Sequence, residues 1–325
     1  MKDDLIYNRF NSIKTLYYSD RLKEIVERGI TSPVIMHIYP TNKCTHDCSF
    51  CIMKDERVSL DELDREFMLG SILNACELGI KAIHFSGGGE PMLNKATEEA
   101  MEYSKELGLQ VICSTNGSVK IPNCSSVRIS LNAGTKETHE KIMRAKTWNK
   151  IIKNIKEYKD KDKIGLGFIA TEDNYKEVYK FCKLANNLGV NFVHIRPAYL
   201  PERDKEIQET IPFIVGQTNE AKKDFPELNI YSISEKFDGY WTERKYKKCL
   251  ATPMNIVMKA NGQLIPCQDR LDLEFGKGVE SWGSKKHFET MNNICIDECP
   301  RCVMTKINEY IENIFINDNT LRNII

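Results

Sequence analysis

Three cysteines in the segment Cys44-Thr-His-Asp-Cys48-Ser-Phe-Cys51, spaced C-x3-C-x2-C, are the residues of this chain best suited to metal chemistry. Thiolates are soft ligands that favour iron–sulfur clusters and zinc. Three of them on one short loop can hold three irons of a cubane and leave the fourth without a protein ligand. An open metal position is what a catalytic site keeps and a structural site closes. With His46 as a fourth donor, the same loop reads instead as a zinc knuckle. A second group, Cys249, Cys267, Cys295, Cys299 and Cys302, lies toward the other end of the chain. Cys299-Pro-Arg-Cys302 is a chelating pair, and Asn261-Gly262 between two apolar runs predicts a hairpin that draws Cys249 and Cys267 together. Four thiolates in two pairs suit a zinc ribbon or an iron–sulfur cluster. Cys76 and Cys182 fall at helical core spacing and read as small hydrophobes.

The elements that must position these groups alternate in type. Apolar runs at 34–39, 82–86, 110–114, 127–131, 164–170 and 192–195 predict strands. Between them, 60–78, 95–107, 136–158 and 174–188 predict helices, three of them stopped by Gly79, Gly108 and Gly189. Six such units predict an α/β chain with a parallel sheet, wrapped into a partial barrel or doubly wound and open. Small and polar residues follow the strands: Gly87-Gly88-Gly89-Glu90, Asn116-Gly117, Ser130 with Asn132, and Arg196. The C-terminal ends of strands are where both architectures place their chemistry. The chain therefore divides into a helical lead-in (1–32), the α/β core (33–197), a linker with helical pieces and three prolines (198–248), and a cysteine-rich segment (249–325).

In order and spacing these motifs resemble the radical S-adenosylmethionine (SAM) superfamily over about residues 33–197. The resemblance selects a partial (β/α)6 TIM-like barrel and implies that Cys44, Cys48 and Cys51 bind a [4Fe-4S] cluster. It also implies that Phe50, exposed beside the cluster, offers a face to adenine, and that Gly88, Gly89 and Glu90 hold the SAM amino group. Ser130 and Asn132 would contact the rest of SAM, Asn116 SAM or substrate, and Arg144 the SAM carboxylate. Arg196, at a strand end, suits a carboxylate of SAM or of the substrate, or else a surface salt bridge. His37, His84, His139 and His194 lack ligand spacing and read as structural. The C-terminal cysteines resemble the SPASM/twitch auxiliary domain of the same enzymes. Its shorter form implies a second [4Fe-4S] cluster on Cys249, Cys267, Cys299 and Cys302, with Cys295 a spare buried or outer thiol. The activity implied is reductive cleavage of SAM to a 5′-deoxyadenosyl radical, hydrogen abstraction from a substrate, and electron transfer through the second cluster.

Composition bounds the partners. Lys+Arg and Asp+Glu are equal at 46 each, so nothing favours a polyanion such as nucleic acid. No stretch approaches the roughly 18 apolar residues of a membrane span, and the acidic N-terminus lacks a signal core, so the expected location is cytoplasmic. The resemblance adds a reductase, such as flavodoxin or ferredoxin, as electron donor. Forty-three residues precede Cys44, too few for a peptide-recognition domain, so a small polar substrate is expected: a sugar, cyclitol or nucleoside derivative. The rival expectations are modification of a ribosomal peptide and, from another class, an iron–sulfur electron carrier.

Overall fold

A computed structural model describes residues 12–198, 200–232, 244–299, 302 and 304–316. The first six strands are β1 (Ile35–Ile38), β2 (Ala82–Phe85), β3 (Gln110–Thr115), β4 (Ser126–Ser130), β5 (Ile164–Ala170) and β6 (Phe192–Pro197). All pair parallel, each with the next, as the alternation predicts. Helices α2 (Arg65–Glu77), α3 (Thr97–Glu106), α4 (Lys136–Met143), α5 (Trp148–Glu157) and α6 (Val178–Asn187) cover the outer face, and α1 (Ser19–Arg28) precedes them. Gly79, Gly108 and Gly189 follow α2, α3 and α6 with positive φ, the left-handed stop that glycine takes without strain. At the other end of α2, the Asp64 side chain accepts from the Glu66 and Phe67 amides, a cap of about 1 kcal/mol.

Two expectations are corrected. The helix foreseen over 136–158 is broken: Arg144 takes φ 51°, ending α4, and α5 starts at Trp148. The segment foreseen as a linker with helical pieces does contain a helix, α7 (Asp204–Asp224), but also a strand, β7 (Asn229–Tyr231), that pairs parallel with β6 and so joins the sheet. Pro212 sits inside α7 and removes one backbone donor. The helix persists because Ile207, Thr210, Ile214, Thr218 and Ala221, at steps of three and four, bury one face.

The cysteine-rich segment continues the same sheet. Strand β8 (Asn255–Met258) lies parallel beside β1, and β9 (Gln263–Ile265) returns antiparallel through Asn261-Gly262, with Gly262 at φ +83°. This is the hairpin foreseen from Asn-Gly. After β10 (Gly276–Lys277) come α8 (Lys285–Asn292) and α9 (Thr305–Ile311). Among the described residues the sheet runs β10-β9-β8-β1-β2-β3-β4-β5-β6-β7 and does not close on itself. The architecture is thus a mostly parallel, open, barrel-like α/β sheet.

Candidate active site

The loop after β1 carries Cys44, Cys48 and Cys51, all free thiols and none fully exposed. It is held from four directions. Gly89 N–H donates to Thr41 O and Glu90 N–H to Lys43 O, both at 2.8 Å. Asn116 Nδ2 donates to Thr45 Oγ1 at 2.8 Å and lies 3.8 Å from Cys44 Sγ. The Asp47 and Ser49 amides donate to Met143 O and Ile142 O, and Arg57 Nη2 donates to His46 O at 2.7 Å. The break after α4 explains the third tie, since the last carbonyls of a helix have no partner inside it. Here they receive the cysteine loop.

The glycines have a steric reason. A Cβ on Gly88 would stand 2.0 Å from Asn42 Oδ1, and one on Gly89 1.9 Å from the Lys43 carbonyl oxygen. Their bare backbone therefore admits the chain entering Cys44, and not only a ligand on the cavity side. Glu90 is buried, and its carboxylate accepts from Thr115 Oγ1 (2.6 Å), Asn116 N (2.7 Å) and Met92 N (3.2 Å). Burial pushes its pKa up and those three donors pull it back. This geometry makes Glu90 a buttress between the glycine loop and β3.

The other expected residues separate. A cavity of about 300 Å³ is lined by the three cysteines, Phe50, Gly88, Gly89, Glu90, Asn116, Ser130, Asn132 and Arg196. Arg144 does not line it; its exposed side chain reaches Asp47 Oδ2 at 3.3 Å instead. Phe50 is 6% exposed, not an open ring, because it packs with Ile142, Met143, Ala198 and Ile207. Asn132, at φ 59°, accepts the Ile169 amide on Oδ1 (2.9 Å) and ties β4 to β5. His46 turns Nε2 to Thr147 Oγ1 at 2.7 Å, and burial, His139 and Arg57 hold its pKa down at about 4.

The donor set fits a larger inorganic group. Three thiols on one pinned loop face a cavity, and burial together with the neighbouring thiols pushes Cys48 up to about 12. Bound iron would supply the positive charge that favours thiolates there.

Sequence reasoning missed the inner wall. His84, Ser114, Arg128 and His194 also line the cavity, with Arg57 beside the loop and Gln268 and Asp269 arriving from the segment after Cys267. The first four form one hydrogen-bonded row: His84 Nε2 to Ser114 Oγ (2.8 Å), Ser114 Oγ to Arg128 Nη2 (3.0 Å), Arg128 Nη1 to His194 Nδ1 (3.2 Å). The readable signal was alternation, since Arg128 and Ser130, like His194 and Arg196, are two apart and share a strand face.

In the C-terminal segment, burial raises the pKa of Cys249, with the nearby Cys302 adding to it. Cys267 is pushed up by burial first, then by Asp269, Cys249 and Cys302. Cys299 is raised by burial and by Cys302, with Arg270 Nη1 4.0 Å from its sulfur pulling the other way. Cys302 thus sits within electrostatic reach of the other three, and Cys249 of Cys267. Cys295 is exposed, not buried.

Residues 38–171 match the Radical SAM superfamily. The probable GTP 3′,8-cyclase of Saccharolobus islandicus (strain M.14.25 / Kamchatka #1) is 31% identical over 171 residues, covering 49% of this chain and 55% of that protein. The probable GTP 3′,8-cyclase of Metallosphaera sedula is 25% identical over 167 residues, covering 48% and 52%. The chain spans about half the length of these curated relatives. Among solved structures, Streptococcus suis SuiB aligns with a TM-score of 0.60 at 15% identity, over 85% of this chain and 70% of that one. The anSMEcpe structure with bound AdoMet and the Cp18Cys peptide aligns with a TM-score of 0.60 at 17% identity, over 85% and 88%. At these identities the likeness shows a shared fold.

Proposed function

We propose that this chain, which carries a radical SAM domain at residues 38–171, is an enzyme that reductively cleaves SAM and takes a hydrogen atom from a small polar substrate. The observation that carries the proposal is the pinned loop of Cys44, Cys48 and Cys51 beside a cavity lined by the Gly88-Gly89-Glu90 backbone. When bound, a four-iron cluster with one open iron supplies the electron that breaks SAM to methionine and a 5′-deoxyadenosyl radical. The chain's own work is placement. The glycine loop and Glu90 fix where the cysteines stand, while Ser130 and Arg196 offer the cavity a hydroxyl and a guanidinium for the polar parts of SAM. Gln268 and Asp269 wall the cavity from the C-terminal segment and help keep water from it.

Cys249, Cys267, Cys299 and Cys302 would hold a second four-iron cluster of the twitch type. Closed by four thiolates, it would carry electrons and not bind substrate. A flavodoxin- or ferredoxin-like reductase would feed the first site. Among substrates, similarity to probable GTP 3′,8-cyclases favours a nucleotide or another small polar metabolite. A peptide is the second reading, favoured by fold neighbours solved with peptides, SuiB with the precursor peptide SuiA and anSMEcpe with Cp18Cys. The test is anaerobic reconstitution with iron and sulfide, then SAM and dithionite. Release of 5′-deoxyadenosine is expected; a cluster-loaded protein that leaves SAM intact overturns the proposal.

A further inference from the structure

Arg128 stands in the middle of β4, half-buried in the barrel wall and lining the cavity. It lies two residues before Ser130, hence about 7 Å deeper along the strand than that residue. The cysteines of the first site follow β1, at the C-terminal end of the sheet. Its partners are Ser114 Oγ and His194 Nδ1, both uncharged acceptors. No carboxylate bonds it among the described residues: of the two acids that line this cavity, Glu90 already accepts three donors from Thr115, Asn116 and Met92, and Asp269 comes from the segment after Cys267. Burial first, and then the like charge of Arg196, push the Arg128 pKa well down. A Cβ at Gly167 on β5 would lie in ordinary van der Waals contact with Arg128 Cδ and Cγ, 3.5 Å away, so the side chain runs beside β5 toward His194 on β6.

A half-buried cation held by neutral partners beside a second cation gains when an anion joins it. A guanidinium fork matches the oxygens of a carboxylate or phosphate. We infer that Arg128 binds an anionic group of the substrate, a carboxylate or phosphate, on the inner wall of the cavity. This rests on the radical SAM reading, for it makes the deeper part of that cavity the substrate's and the cysteine end SAM's. His84 and Ser114 complete the row, so that Ser114 can lend its hydroxyl to the same anion.

The test uses anaerobically reconstituted protein with SAM bound, probed by inorganic phosphate and, separately, acetate, followed by thermal shift. The arm that stabilises tells phosphate from carboxylate. In Arg128→Met the apparent affinity for the effective anion is expected to fall about tenfold, the loss of one charge-assisted hydrogen bond, with SAM affinity changed less than about twofold. Arg128→Lys, which keeps the charge and loses the fork, should fall between, and it serves if the Met variant does not fold. The inference is overturned if neither anion stabilises the wild type, or if both variants keep its anion response. It is also overturned if the main loss is SAM affinity, since Arg128 would then serve the SAM carboxylate. Failure of the wild type to bind SAM at all counts against the radical SAM reading instead, whatever the anions do.

Discussion

Gly88 and Gly89 do two jobs with one missing atom each. Their backbones line the cavity, and the space where a Cβ would stand is filled by Asn42 and the Lys43 carbonyl. A Cβ 1.9 Å from a backbone oxygen forces the Lys43 backbone to move, and Cys44 is the next residue. Gly89→Ala should therefore lose both SAM binding and iron at the first site, whereas a loop that only cradled SAM would keep its iron. Iron analysis beside SAM binding decides between them. The second cysteine set allows an equally direct comparison. Cys295 is exposed, while Cys302 lies within electrostatic reach of Cys249, Cys267 and Cys299. Reconstituted wild type should carry about eight irons, two cubanes' worth. Cys295→Ala should keep that content and Cys249→Ala should lose about half of it; the reverse pattern would contradict the ligand set. At this scale the cysteine spacing and the Gly-Gly-Glu run were legible, because a motif written in consecutive residues survives in sequence. The row His84, Ser114, Arg128, His194 was not, because four strands contribute one residue each and only the sheet brings them together.

Between the residues and the molecule stand a few elements whose ends matter more than their middles. The break at Arg144 frees Met143 O and Ile142 O for the Asp47 and Ser49 amides, so the end of α4 becomes a bracket for the cysteine loop. Arg144 itself contributes a left-handed backbone turn and an exposed ion pair with Asp47, worth about 0–1 kcal/mol. Glycine takes that φ without the side-chain penalty. Arg144→Gly should leave thermal stability unchanged or slightly raised and SAM affinity within about twofold; a tenfold loss of SAM would restore Arg144 to the site. Sequence periodicity ran through this break, since 136–158 keeps a helical pattern on both sides and nothing in Met-Arg-Ala-Lys marks a turn. It erred the other way at Pro212, where the buried stripe of α7 outweighs one lost hydrogen bond. By contrast, Asn261-Gly262 was read correctly, for a two-residue turn needing positive φ is a local matter.

At the scale of the whole molecule, the cysteine-rich segment and the residues that match the Radical SAM superfamily share one sheet. Strand β8 pairs with β1, the strand that leads into Cys44, and Lys259 just beyond β8 bridges Glu56 after the cysteine loop (2.7 Å) and Glu274 (2.9 Å). Lys259 is buried, and removing one partner of a buried ion pair costs about 3–5 kcal/mol. A chain truncated after residue 248 would bare the edge of β1 and leave Glu56 without its cation. It should be aggregated or lack a cooperative melt, read by circular dichroism; a well-folded fragment that binds SAM would show the segments to be independent. Composition foretold the two cysteine territories but not their joining, which depends on pairing between strands more than two hundred residues apart. The proposed SAM cleavage belongs to the first of those territories. Its most direct test compares wild type with the Cys44→Ala, Cys48→Ala, Cys51→Ala triple variant, both reconstituted anaerobically and given SAM and dithionite. The wild type should release 5′-deoxyadenosine, and the variant should release none while keeping the iron of the C-terminal site. Equal release from both, or none from a wild type carrying its full iron, would contradict it.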